Sequence, residues 1–172
     1  MSQSVSQSVS LEDFNALPAD EVGERLAACL PVPRWVDTVR DGRPYAAWPA
    51  LEETATTAAA DLDEAELETA LAGHPRIGER ASSPQHHAAF SAKEQSGVDP
   101  ADAEVARELA AGNAAYEERF DRVFLIRAAG RSAPEILAEL RRRLENDDEA
   151  ERAETVTQLR EIALLRLRQV VA

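Results

Sequence analysis

Cys29 is the only cysteine of the chain, so no internal disulfide can form, and a reducing compartment suits it. Its neighbours Leu26, Ala27, Ala28 and Leu30 are apolar, which points to a buried structural thiol rather than a nucleophile. Long apolar runs are missing as well. None approaches the roughly 18 residues that a membrane-spanning helix needs. No basic stretch followed by an apolar run opens the chain, and the closing Arg-Gln-Val-Val-Ala matches no address signal. A cytoplasmic protein without a signal peptide is expected. Lysine is nearly absent, with Lys93 alone among the basic residues not an arginine, a ratio that reflects genomic composition more than function. There is no HExxH motif and no paired-cysteine spacing. His86 and His87 are sequence neighbours, which a helix points about 100° apart, whereas a zinc site needs three or four converging ligands. No metal is expected. Positive charge is in deficit: 19 Lys and Arg against 32 Asp and Glu leave a net charge of −13. That argues against nucleic acid and anionic membranes as partners. It also means that a site for an anion must supply its own local positive charge.

What is present is helix after helix. At 172 residues and 44% hydrophobic composition, the chain suits one ordinary domain with a real core. Residues 1–10 are a Ser/Gln/Val repeat without a periodic apolar face and read as a disordered tail; residues 11–172 read as one helical domain. Ser10 with Asp13 caps a short first helix. Asp20–Leu30 carries apolar residues at helical spacing and ends at Pro31 and Pro33. Arg34–Val39 is another short helix, Asp41-Gly42-Arg43-Pro44 a turn, and Pro49 starts a helix through Ala60. Asp63 with Glu66 caps the next, which Gly73 closes before Pro75. Ser83-Pro84 opens a helix that Gly97 closes. Asp99 or Pro100 opens a longer one, with Val105, Leu109, Gly112, Asn113, Tyr116 and Phe120 on one face. Ser132 with Glu135 is a capping box for a helix through Leu144 to Asn146, and the last helix covers Asp148–Val170. The apolar run Val123–Ala129 can be extended, but no second alternating run exists to pair with it. The fold class is therefore all-α, a single-domain multi-helix bundle.

Few residues suggest chemistry. His74 lies between Gly73 and Pro75, and a residue before proline is pushed out of the helical region. Its imidazole suits proton transfer near neutral pH, although taken alone it reads more readily as a surface or capping histidine. Glu94 shares a helix face with Phe90, and Gln95 shares one with Ser91; by themselves Glu94 and Gln95 read as an exposed pair. Asn113, on an apolar face, must find hydrogen-bond partners and suits helix tying better than a pocket wall. Arg166 follows Val156, Leu159 and Ala163 on one face, with Leu164, Leu165 and Leu167 around it. An arginine there needs a carboxylate, a bound anion or a route to water; a salt bridge and a ligand contact are about equal readings. Ile126-Arg127-Ala128-Ala129-Gly130 is a run of mostly small residues where a ligand can approach backbone N–H groups.

Together these stretches resemble one family, the decarboxylases of 2-oxo-4-hydroxy-4-carboxy-5-ureidoimidazoline (OHCU). The resemblance rests on His74-Pro75-Arg76-Ile77-Gly78-Glu79, Ser91-Ala92-Lys93-Glu94-Gln95, Asn113-Ala114-Ala115-Tyr116-Glu117, Phe124-Leu125-Ile126, Arg143-Leu144-Glu145-Asn146 and Leu165-Arg166-Leu167. Phe14-Asn15 and Arg43-Pro44 are weaker echoes. It implies an all-α, cofactor-free carboxy-lyase, commonly a homodimer, that yields (S)-allantoin from OHCU. It further implies His74 as proton donor, Glu94 as a catalytic carboxylate and Arg166 as a third catalytic residue. Pro75, Ser91, Ala92, Lys93, Glu94, Gln95, Ile126, Arg127, Ala128, Ala129 and Gly130 would line the substrate. Two other readings compete: a hydrolase of a related ureide on the same scaffold, and a non-catalytic helical module for binding a partner.

Overall fold

The computed structural model describes residues 7–77 and 103–172. Among the described residues there are eight helices: α1 (Leu11–Ala16), α2 (Ala19–Cys29), α3 (Pro33–Asp41), α4 (Trp48–Ala59), α5 (Glu64–Ala72), α6 (Ala103–Phe120), α7 (Ala133–Arg143) and α8 (Asp148–Val170). The chain is all-α, as the periodicity predicts, and among the described residues there is no strand beyond one isolated bridge. The Ser83–Gly97 helix and the Asp99 or Pro100 start of the following one lie outside the described residues. The chain forms two compact units, one from Met1–Ala70 with Leu159–Ala172, the other from Leu71–Gln158.

In the first unit the local signals act as expected. Ser10 accepts from the Asp13 N–H at 3.0 Å and starts α1. Pro33 and Pro49 sit in the first turns of α3 and α4, where a missing N–H costs nothing. Asp63 and Glu66 accept from each other's backbone N–H at 2.8 and 3.0 Å and start α5. α3 packs on both α2 and α4. Trp35 is fully buried among these helices and donates its indole N–H to Ala55 at 2.9 Å, so its polar atom is satisfied. Phe14, Val22, Leu26, Val39 and Leu51 complete the core. Each such side chain contributes roughly 1.5–3 kcal/mol by leaving water. Cys29 is buried, with its thiol 3.4 Å from the Arg25 carbonyl.

The two weaker echoes, 28 to 30 residues apart, turn out to be each other's partners. Arg43 donates to the carbonyls of Phe14 and Leu17 at 2.9 and 2.8 Å, satisfying groups that the end of α1 leaves open. Asn15 closes a two-way pair with the Tyr45 backbone, donating at 2.9 Å and accepting at 2.8 Å. We expect Asn15→Leu to lower the free energy of unfolding by about 1–3 kcal/mol, because two backbone groups lose their partner; urea denaturation measures it, and an unchanged midpoint would show these bonds to be dispensable. Gln7 and Val9, which composition groups with the tail, also make backbone bonds. The Gln7 carbonyl accepts from Arg25 at 2.7 Å, and Val9 pairs with Val170 and Ala172 at 3.0 and 2.8 Å.

In the second unit α6 packs against α7. Gly112 makes the approach close: a β-carbon there would sit 2.5 Å from a Leu140 methyl. Leu109, Tyr116, Phe120, Phe124, Ile126, Ile136, Leu137 and Leu140 form one cluster, with Ile77 in it. Ser132 and Glu135 make the reciprocal capping box of α7. After α6 the chain turns through Asp121 at φ 55°, a region that Asp tolerates better than most residues. Residues 123–128 then run without helix or strand, yet Phe124, Leu125, Ile126 and Ala128 are buried. Backbone polar groups in such a segment must be served by something other than a ladder.

Candidate active site

His74 stands where the sequence places it, just beyond α5, outside any helix and half-buried. Its backbone N–H donates to Leu71 at 3.0 Å, which ties the residue to the last turn of the helix. The far end of the segment is fixed independently. Ile77 buries its side chain in the α6–α7 cluster, and its carbonyl accepts from the Asn113 amide at 3.2 Å. Between them Arg76 pairs with Glu117 through two contacts, at 2.5 and 3.1 Å. His74 and Pro75 are thus held from both sides, and Asn113 has the structural tying role that its place on an apolar face suggested, although it ties α6 to the non-helical segment after α5 and not to a second helix.

Ile126–Gly130 belongs to the same unit. Ile126 and Ala128 pack in the same cluster as Ile77. The Arg127 N–H, which the sequence offered as a ligand contact, donates instead to the Gln158 side chain at 2.8 Å. The segment closes with the Arg131 N–H donating to Ala128 at 3.0 Å, around Gly130 at φ 79°. Only glycine adopts that conformation without cost.

Arg166 lies in α8, in the part of the helix that belongs to the first unit, and is 3% exposed. Val156, Leu159, Ala163 and Val170 are buried with it, as their spacing predicts, and its Nη1 lies 3.5 Å from the Ala28 carbonyl. Ser91, Ala92, Lys93, Glu94 and Gln95, and also His86 and His87, lie outside the described residues. Among the described residues no three His, Cys, Asp or Glu side chains gather as metal ligands, and no helix is long and apolar enough to cross a membrane.

Sequence reasoning missed a buried ionic network in the second unit. Arg143 and Glu151 are 1% and 0% exposed and form an ion pair, with Arg143 Nε 2.8 Å from the carboxylate. Tyr116 donates its hydroxyl to the same carboxylate at 2.5 Å, and Asn146 donates to its other oxygen at 3.1 Å. The guanidinium stacks 4.7 Å from the centre of the Phe124 ring and donates to the Leu125 carbonyl at 2.6 Å. Tyr116, Phe124, Arg143 and Asn146 all fall in the stretches that carry the family resemblance. No short-range spacing announces that they converge on Glu151, which hides in an acidic run.

Burial, reinforced by the Glu151 carboxylate, pushes the Tyr116 hydroxyl from 10.0 up to about 12. The folded state therefore favours the protonated phenol. That stability is fully present below pH 10 and is lost as pH rises from 10 to 12, by roughly 3 kcal/mol in all at 1.36 kcal/mol per unit. Urea titrations across this window should show it, and Tyr116→Phe should flatten the fall; an equally steep fall in the variant would assign it to another group.

The comparison with curated proteins found no match. Among solved structures the chain is similar to one described as OHCU decarboxylase in the presence of (S)-allantoin. The TM-score is 0.68 at 23% identity, over 86% of this chain and 94% of that one. It is also similar to one described as (S)-allantoin synthase, with TM-score 0.68 at 16% identity over 94% of this chain. This chain covers 54% of that second protein. At such identities both likenesses speak for the all-α fold. The family model described as OHCU decarboxylase matches residues 15–168. With nearly its whole length matched, the chain belongs to the OHCU decarboxylase family.

Proposed function

We propose that the chain decarboxylates OHCU to (S)-allantoin with its own side chains, using His74, Glu94 and Arg166 as catalytic residues. The observation that carries this reading is the family match over residues 15–168, within which every residue assigned a role falls.

The substrate supplies its own electron sink, so the reaction needs no cofactor. The bond from the ring to the carboxylate breaks and carbon dioxide leaves. The electron pair passes into the conjugated C=N of the ring and leaves an enol. The enol collapses to the carbonyl as one external proton reaches the carbon that bears the ureido group, and the hydroxyl's own proton passes to the ring nitrogen that took up the electron pair. That carbon becomes the stereocentre, so delivery from one face sets the configuration. His74 is the donor, replenished from solvent. The backbone along Ile126–Gly130, with Pro75, Ser91, Ala92, Lys93 and Gln95, holds the amide-rich ring. Glu94 binds ureido or ring N–H groups, or destabilises the leaving carboxylate by its charge. Arg166 supplies the positive charge that the acidic surface lacks. A cytoplasmic location and a homodimeric state belong to the same reading; sedimentation of the purified chain tests the second.

Product analysis separates this from hydrolysis of a related ureide. With OHCU generated freshly from urate, the protein should raise the rate of carbon dioxide release and liberate no ammonia. Ammonia in step with substrate loss would move the chain to a hydrolase.

A further inference from the structure

Residues 123–128 are a buried stretch of chain without a sheet partner, yet the reading above asks Ile126–Gly130 to hold a substrate in register. Arg131 donates locally to the Arg127 carbonyl at 3.1 Å, and two side chains from the helices α7 and α8 fasten the segment to them. Arg143, at the end of α7, donates to the Leu125 carbonyl at 2.6 Å, and Gln158, in α8, accepts from the Arg127 N–H at 2.8 Å.

The fastening is rigid at the Arg143 end. Its guanidinium is fixed by Glu151, by Thr155 at 3.3 Å and by the Phe124 ring, and Glu151 is fixed in turn by Tyr116 and Asn146. A buried ion pair is an expensive way to fill space, since hydrophobic residues of similar volume are often as stabilising. What such a pair provides here is a donor aimed at one carbonyl.

We infer that Arg143 and Gln158 are positioning residues for the substrate: they set the register of the Ile126–Gly130 backbone without touching the reacting atoms. This rests on the reading that the segment lines the substrate. Gln158 is half-buried and outside the ion pair, so it is the cleaner probe.

The experiment compares Gln158→Leu, which removes the acceptor, with Gln158→Glu, which keeps it. It measures steady-state turnover of OHCU and binding of (S)-allantoin. Gln158→Leu should raise KM and weaken allantoin binding about tenfold, as expected for one lost bond of about 1.4 kcal/mol. Its kcat should stay within about twofold, because uniform binding is what is lost. Gln158→Glu should restore both constants. Arg143→Lys, which keeps a cation beside Glu151 but cannot serve both partners, should also raise KM. A folded, active Gln158→Leu with unchanged KM, or a Gln158→Glu that fails to restore it, overturns the inference and leaves the proposed function standing. A wild-type chain that neither turns over OHCU nor binds allantoin overturns both.

Discussion

Replacing His74 with alanine should slow OHCU decarboxylation by roughly 10²–10⁴-fold, the range that a positioned proton donor contributes. It should do so without unfolding the protein. The residue lies half-buried beyond α5. The segment around it is held by groups that the substitution leaves in place: the His74 backbone N–H to Leu71, Asn113 to the Ile77 carbonyl, and the Arg76–Glu117 pair. Loss of rate together with a normal melting transition is therefore the expected pattern. A side chain that serves only as a surface or capping group would give the opposite, full turnover with at most a small change in stability. The substitution should also erase the chirality of the product, since the proton would then arrive from solvent on either face.

Glu151→Leu should cost about 3–5 kcal/mol of stability, the largest structural effect expected in the chain. Arg143 is 1% exposed, and removing the Glu151 carboxylate leaves a cation buried among Phe124, Tyr116 and Thr155, with, among the described residues, only the more exposed Glu154 carboxylate, 3.7 Å away, to balance it. Arg143→Met should cost a similar amount, stranding Glu151. The double variant Arg143→Met/Glu151→Leu should recover most of the loss, because no charge remains to be desolvated. Urea unfolding of the four proteins gives the cycle. Strict additivity, with the double variant as unstable as the two losses summed, would contradict the account of the pair as coupled. If the positioning role also holds, the double variant should be stable yet bind substrate poorly.

Sequence legibility followed the range of the interactions. Ser10 with Asp13, Asp63 with Glu66 and Ser132 with Glu135 are three-residue signals, and each stands at a helix start. The span of α8 could be read from its apolar spacing, and with it the burial of Arg166. Cys29 was readable as a structural thiol from its neighbours. What escaped was tertiary. Arg43 reaches across 26 to 29 residues to cap α1, and Arg143 finds Glu151 only because α7 and α8 bring them together. The Arg127 N–H looked open to a ligand because its partner, Gln158, lies 31 residues away. The candidate site itself was legible as a set of residue types rather than as geometry: His74 alone reads blandly, and its chemistry emerges only beside the other family stretches.

The most direct test of the central claim is the circular dichroism of allantoin formed from OHCU generated freshly from urate, with and without the protein. The account predicts rapid appearance of the (S)-allantoin signal, lost in both His74→Ala and Glu94→Ala. Racemic product forming at the spontaneous rate, from folded protein and verified OHCU, would contradict it.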